Sequence, residues 1–168
     1  MSQSVPCYCL DANVLIQAWQ KYYSPGLCPS YWDELIQLGK ENRIFIPEMV
    51  QTEILRTEDD LADWLKGSAI PIRKIGAGTT KKLQEIYAFD PKHKRLVDSI
   101  KGRSLADPWV IAHALEENAT VVTKEELVTA ANTDRIRIPN VCRNMGVRYM
   151  NDFQFVDEVN IRFDCSRQ

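Results

Sequence analysis

The sequence predicts an α/β fold in which a central parallel sheet is flanked by helices, giving three layers. Two observations carry the prediction. Short apolar strands alternate with helical segments along the chain, the pattern of a parallel sheet with right-handed crossovers. Two of these strands, around Tyr8-Cys9-Leu10 and Ala119-Thr120-Val121-Val122, have almost no polar content and deliver polar or acidic residues at their C-terminal ends. Strands buried on both faces read in this way.

The first strand runs from Val5 into Leu10 and turns directly into a helix through Asp11-Ala12-Asn13. Ligands of open α/β sheets gather outside the carboxyl ends of the strands. Asp11 is therefore either a site residue or a helix cap, and Asn13 is placed to cap the helix that Val14, Leu15 and Trp19 continue. Ser24-Pro25-Gly26 marks a turn. Ser30 has the position of an N-cap for a helix whose stripe, Trp32, Leu35, Ile36 and Leu38, stops at Gly39. Arg43 to Pro47 is a short β-type run ended by proline, which suits the first turn of the next helix.

In that helix Glu53 lies four residues after Met49 and three after Val50, on the apolar stripe. A carboxylate there is costly unless paired or bound to a cation. Glu48, Glu58, Asp59 and Asp60 have the pattern of surface charge. Leu61, Trp64 and Leu65 predict another short helix, and Ile70 to Ile75 fits either helix or strand. Gly76-Ala77-Gly78 lacks the spacing and the following Lys-Ser/Thr of a phosphate loop. Thr79 to Phe89 predicts a helix, and Pro91 starts a mixed basic and apolar segment.

Ser104-Leu105-Ala106-Asp107-Pro108-Trp109 opens a further helix, with Pro108 in its first turn and Asp107 placed as its N-cap. The second core strand ends in Thr123-Lys124-Glu125-Glu126. Ile136 to Pro139 predicts a small strand or extended segment before a short helix. Val147 to Met150 is the last strand, and a final helix carries Phe153, Phe155, Val156, Val159 and Phe163.

The chain has 168 residues with 45% hydrophobic and 26% charged content, the composition of one globular domain spanning 1–168. No apolar run reaches the ~20 residues of a membrane helix. With no basic-then-apolar leader either, a cytoplasmic location without membrane contact is expected. Five scattered cysteines without a C-x-x-C pair, beside two histidines, argue against a structural zinc site. The net charge of −2 conceals an asymmetry, because Arg73 to Arg103 carries nine basic residues against three acids. That section, a helical arm over about 70–103, stands at +6 and the remainder at −8. Arg73, Lys74, Lys81, Lys82, Lys92, Lys94, Arg95, Lys101 and Arg103 are accordingly either an RNA-backbone surface or a solvated helical face.

Asp11, Glu53, Asp107 and Glu125 each fall at a strand end, on an apolar stripe or at a helix start. In a parallel sheet such positions converge on one edge, where carboxylates raise one another's pKa unless a cation compensates. Oxygen ligands without Cys or His select Mg²⁺ or Mn²⁺, ions that support phosphodiester cleavage.

Leu10-Asp11-Ala12-Asn13, Glu53 on its helix, Ala106-Asp107-Pro108-Trp109-Val110-Ile111-Ala112 and Val121-Val122-Thr123-Lys124-Glu125 together resemble the PIN domain. That family of metal-dependent ribonucleases includes many bacterial toxins of toxin–antitoxin pairs. The resemblance runs from about Val5 to Phe155. It implies that Asp11, Glu53, Asp107 and Glu125 are the catalytic, metal-binding acids, with Asn13, Thr123 and Ser104 as supporting polar groups. It also implies an endoribonuclease acting on RNA, a small antitoxin partner and a homodimer. The fourth acid is Glu where the family commonly has Asp, and Glu126 beside it offers a competing carboxylate. The basic middle section is longer than in compact toxins, so substrate choice does not transfer.

Two other readings compete. A phosphatase with Asp11 as nucleophile needs a proton-donating acid two residues on, where Asn13 stands. A degenerate, non-catalytic PIN module would bind RNA or protein without cutting.

Overall fold

The computed structural model describes residues 5–97 and 104–167. Five strands form one sheet: β1 (Tyr8–Leu10), β2 (Ile44–Pro47), β3 (Ile72–Arg73), β4 (Thr120–Val122) and β5 (Tyr149–Met150). Their spatial order is β3-β2-β1-β4-β5 and every pairing is parallel. The opening strand is thus the middle of the sheet. Cys9 lies opposite Phe45 on one side and Val121 on the other, and all three β1 residues are fully buried.

Helices cover both faces. Along β1 the side chains alternate. Cys9 turns its thiol to the Val110 carbonyl of α6 (Asp107–Glu117), which also lies against β2 and β4. The helices α5 (Ala77–Phe89) and α7 (Ile138–Met145) complete that layer beside α6. Tyr8, on the other face, packs edge-on against Phe155 of α8 (Asp152–Glu158), with centroids 5.1 Å apart. That side also carries α1 (Ala12–Gln17), α2 (Pro29–Lys40), α3 (Glu48–Leu55) and α4 (Asp60–Gly67). Of these, α2 and α3 lie on β2 while α1 and α4 pack on α3. The three-layer α/β/α fold expected from the alternation is the fold observed. No helix among the described residues is long and apolar enough to cross a membrane.

Local details differ from the sequence reading in instructive ways. Within Ile70 to Ile75, Ile72–Arg73 forms the edge strand β3, paired with β2. The N-cap of α1 is Asp11, not Asn13. Helix α2 begins at Pro29 rather than after Ser30 and continues through Gly39 to Lys40. Gly39 serves packing instead: a Cβ there would sit 2.9 Å from the Ile70 Cα, so the glycine lets α2 approach the backbone leading into β3. Glu48 and Asp59 are not idle surface charge. Glu48 accepts the Ile75 amide at 2.6 Å, and Asp59 caps α4 through the Ala62 amide at 3.0 Å. Helix α8 ends at Glu158, leaving Phe163 to stack on Tyr23 beyond it.

Candidate active site

Asp11 stands where β1 ends, at the middle of the carboxyl edge. Its backbone amide still belongs to the sheet, donating to the Val122 carbonyl at 3.0 Å. The side chain is 3% exposed and doubly held. Oδ1 accepts the Ala12 amide at 2.8 Å, which starts α1, and Oδ2 accepts the Thr123 hydroxyl at 3.0 Å. Asp11 is therefore a helix cap, and its second oxygen is held at the same edge by Thr123. Thr123 itself follows β4, is 1% exposed, and its oxygen receives the Glu125 amide at 3.1 Å. One hydroxyl ties the end of one strand to the turn after its neighbour.

Asp107 is the first residue of α6, not its cap. Ala106 occupies the cap position without a side-chain bond, so the Asp107 carboxyl is free of capping duty. It is 8% exposed, and Ser104 donates a hydrogen bond to it. Ser104 itself has φ of +59°, a left-handed backbone that turns the chain sharply before the helix. Glu125 presents its carboxylate to the same cavity as Asp107 and Ser104, a space of about 680 Å³. Its Oε2 accepts the Ile138 amide at 2.8 Å, fixing the side chain against the start of α7. Glu126 is exposed and lines no wall of that cavity. Of the two neighbours, Glu125 is the one that shares a cavity with Asp107.

Glu53 is half-buried on α3 in an adjoining cavity of about 320 Å³, which it shares with the exposed Asn13, Arg56 and Ser104. Ser104 belongs to both cavities and joins them.

The electrostatics follow from this crowding. Burial pushes the Asp11 carboxyl up to about 7, with Glu125 and Glu53 adding to the rise and the Thr123 and Ala12 hydrogen bonds opposing it. Burial pushes Asp107 up to about 9, with Asp11, Glu125 and Glu53 adding and the Ser104 bond opposing. Burial also raises Glu53, which the Arg56 guanidinium partly offsets. Carboxyls crowded against one another and held toward their neutral form mark a candidate functional cluster.

Among the described residues, no three His, Cys, Asp or Glu side chains stand converged as a closed metal nest. The donor set still fits a hard divalent cation. Mg²⁺ keeps several waters and takes only one or two protein carboxylates, unlike the closed cages of zinc. Asp11 and Asp107 are the candidates for that pair, and the side-chain groups that act on their carboxyls are carboxylates and hydroxyls.

The basic section disperses. Arg73 turns to Glu117 and lies over the Phe45 ring, Lys82 pairs with Glu85, and Lys94 sits over Tyr87. Lys74, Lys81 and Lys92 are exposed. Of the seven that lie among the described residues, Arg95 alone lines the Asp107–Glu125 cavity; Lys101 and Arg103 lie outside the described residues. Three cations the sequence reading passed over stand at the acids instead: Arg56 beside Glu53, and Arg135 and Arg137 on the loop after β4. The alternation Arg135-Ile136-Arg137 ahead of a helix was their only signal. A second unforeseen group is the Lys124–Asp152 ion pair at 2.7 Å, with Asp152 fully buried and Tyr22 also donating to it.

With this architecture and edge, the fold is PIN-like. It is similar to that of VapBC2 from Rickettsia felis, solved bound to a DNA fragment from their promoter. That match has a TM-score of 0.57 and 22% identity, covering 86% of this chain and 98% of that one. It is also similar to FitAcB from Neisseria gonorrhoeae, with a TM-score of 0.51 and 14% identity over 87% of this chain and 98% of that one. Residues 8–163 match the model of a family described as a domain of unknown function (DUF4411), and the chain belongs to that family. No curated protein matches it.

Proposed function

We propose that this protein is a PIN-type, Mg²⁺- or Mn²⁺-dependent endoribonuclease, the toxin of a toxin–antitoxin pair. The observation that carries the reading is the burial of Asp11 and Asp107 at one sheet edge, within electrostatic reach of Glu53 and Glu125. The PIN-like fold supports it, as does the resemblance to a family rich in toxins with small antitoxin partners.

Asp11 and Asp107 would hold the cation, with Glu125 and Glu53 anchoring its waters. Bound there, it would polarise the scissile phosphodiester and favour hydroxide over water. The residues of the chain have distinct parts around it. Thr123 fixes the rotamer of Asp11 through Oδ2, and Ser104 does the same for Asp107. Glu53, its carboxylate made more basic by burial, accepts the proton of the attacking water. Arg56 beside it opposes that rise.

A second reading, a non-catalytic PIN module that binds RNA or protein, draws on the lack of a closed carboxylate nest among the described residues. One experiment separates them: incubation with mixed single-stranded RNA in Mn²⁺, in EDTA, and with Asp11→Asn. Cutting in Mn²⁺ that stops in EDTA and in the variant is expected. Binding without cutting, indifferent to Asp11→Asn, would establish the module instead.

A further inference from the structure

Beside the cavity of Asp107 and Glu125 lies a second one of about 500 Å³ in which cations dominate. Its charged lining is Lys92, Arg95, Arg135 and Arg143 against a single acid, Asp134. That acid is spent on an ion pair with Arg95. The two cavities share Arg95, Asp134, Arg135 and Ile136 as a common wall. Across that wall the lining changes from an excess of three positive charges to an even balance, in which Arg95, Arg135 and Arg137 face Asp107, Glu125 and Asp134.

The cationic chamber is built on fixed parts. Asn140 clamps the loop after β4 by accepting the Val128 amide at 3.2 Å and donating to the Val128 carbonyl at 2.9 Å. Asn144 meets the buried His93 ring at 2.9 Å, and His93 Nδ1 donates to the Ile86 carbonyl at 2.8 Å, so helices α5 and α7 and the turn between α5 and α6 are locked together. The cations thus come from three segments held in one place rather than from one wandering loop.

We infer that this chamber is a track for the phosphate backbone of single-stranded RNA, delivering the next phosphate to the carboxylates beyond Arg95 and Arg135. The inference rests on the ribonuclease reading above and gives it a direction. A polyanion gains most where cations outnumber acids. It meets the acids only where those arginines neutralise them. A free phosphorylated small molecule shares the recognition chemistry, and chain length tells the two apart.

The test is fluorescence anisotropy of a labelled single-stranded 12-mer RNA in EDTA, so that binding is read without cleavage. Arg135→Gln combined with Arg143→Gln is expected to weaken binding at least tenfold and to flatten the log–log salt dependence by about 0.7 per charge removed. Arg135→Lys with Arg143→Lys should restore most of the affinity. Lys40→Gln, on the exposed end of α2, should change neither quantity. Unaltered affinity in the double glutamine variant overturns the track, as does a mononucleotide or inorganic phosphate that competes as well as the 12-mer. Failure of the nuclease reading is separate: it would show as an RNA that binds in this assay yet stays intact with Mn²⁺.

Discussion

Asp11 and Asp107 are kept in a place where each is costly to ionise, and stability should report it. In the unfolded chain both titrate near the ordinary aspartate value; in the folded protein they hold their protons to about 7 and about 9. The folded state therefore binds more protons across the interval from pH ~4 to neutrality and above, and its stability falls as pH rises through it. The metal-free protein is expected to melt at a higher temperature at pH 5.5 than at pH 8.5, as calorimetry in EDTA would measure; a flat or rising profile would contradict the burial of these groups. Asp107→Asn needs no proton and repels nothing. It should stabilise the metal-free protein at pH 8 by about 2 kcal/mol, or roughly 4–8 °C, while abolishing RNA cleavage. A substitution that strengthens the fold and removes the activity separates a working acid from a structural one.

Elements explain which parts of the candidate site were legible. Asp11, Asp107 and Glu125 could be picked from the sequence because an apolar strand or a proline-opened helix frames each of them, and parallel topology brings such ends to one edge. Glu53 was legible for another reason, a carboxylate on the wrong stripe of its helix. Arg56, Arg135 and Arg137 were not, since nothing local distinguishes an arginine that faces a cavity from one that faces water. The capping details were missed because Asp11 serves its amide neighbour and Thr123 at once, and Thr123 is 112 residues away. Gly39 was read as a helix stop for the same lack of tertiary knowledge. Its observed role predicts that Gly39→Ala forces α2 off the Ile70 backbone and destabilises the protein by about 1–3 kcal/mol in urea unfolding. Gly67→Ala, where nothing lies within 4 Å of the added carbon, should cost no more than a few tenths.

At the scale of the whole molecule, the proposed cation binding would be linked to folding. A ligand that binds only the folded state stabilises by mass action, about 2.7 kcal/mol at one hundred times its dissociation constant. A divalent ion at Asp11 and Asp107 adds to this by removing the repulsion that pH alone relieves at the acid end. Mn²⁺ is therefore expected to raise the melting temperature more at pH 8 than at pH 5.5, and to have no such effect on Asp11→Asn. Equal shifts at both pH values would place the ion elsewhere.

Because β1 sits between β2 and β4, the site has an order of appearance during synthesis. Asp11 emerges first, and its companion Thr123 and the acid Glu125 come from the neighbouring strand β4, more than a hundred residues later. A chain stopped anywhere short of β4 carries half a cluster with one flank of the middle strand bare. On the nuclease reading proposed above, that timing would matter at the ribosome. The nascent polypeptide would have no complete cluster with which to cut RNA until β4 had been made.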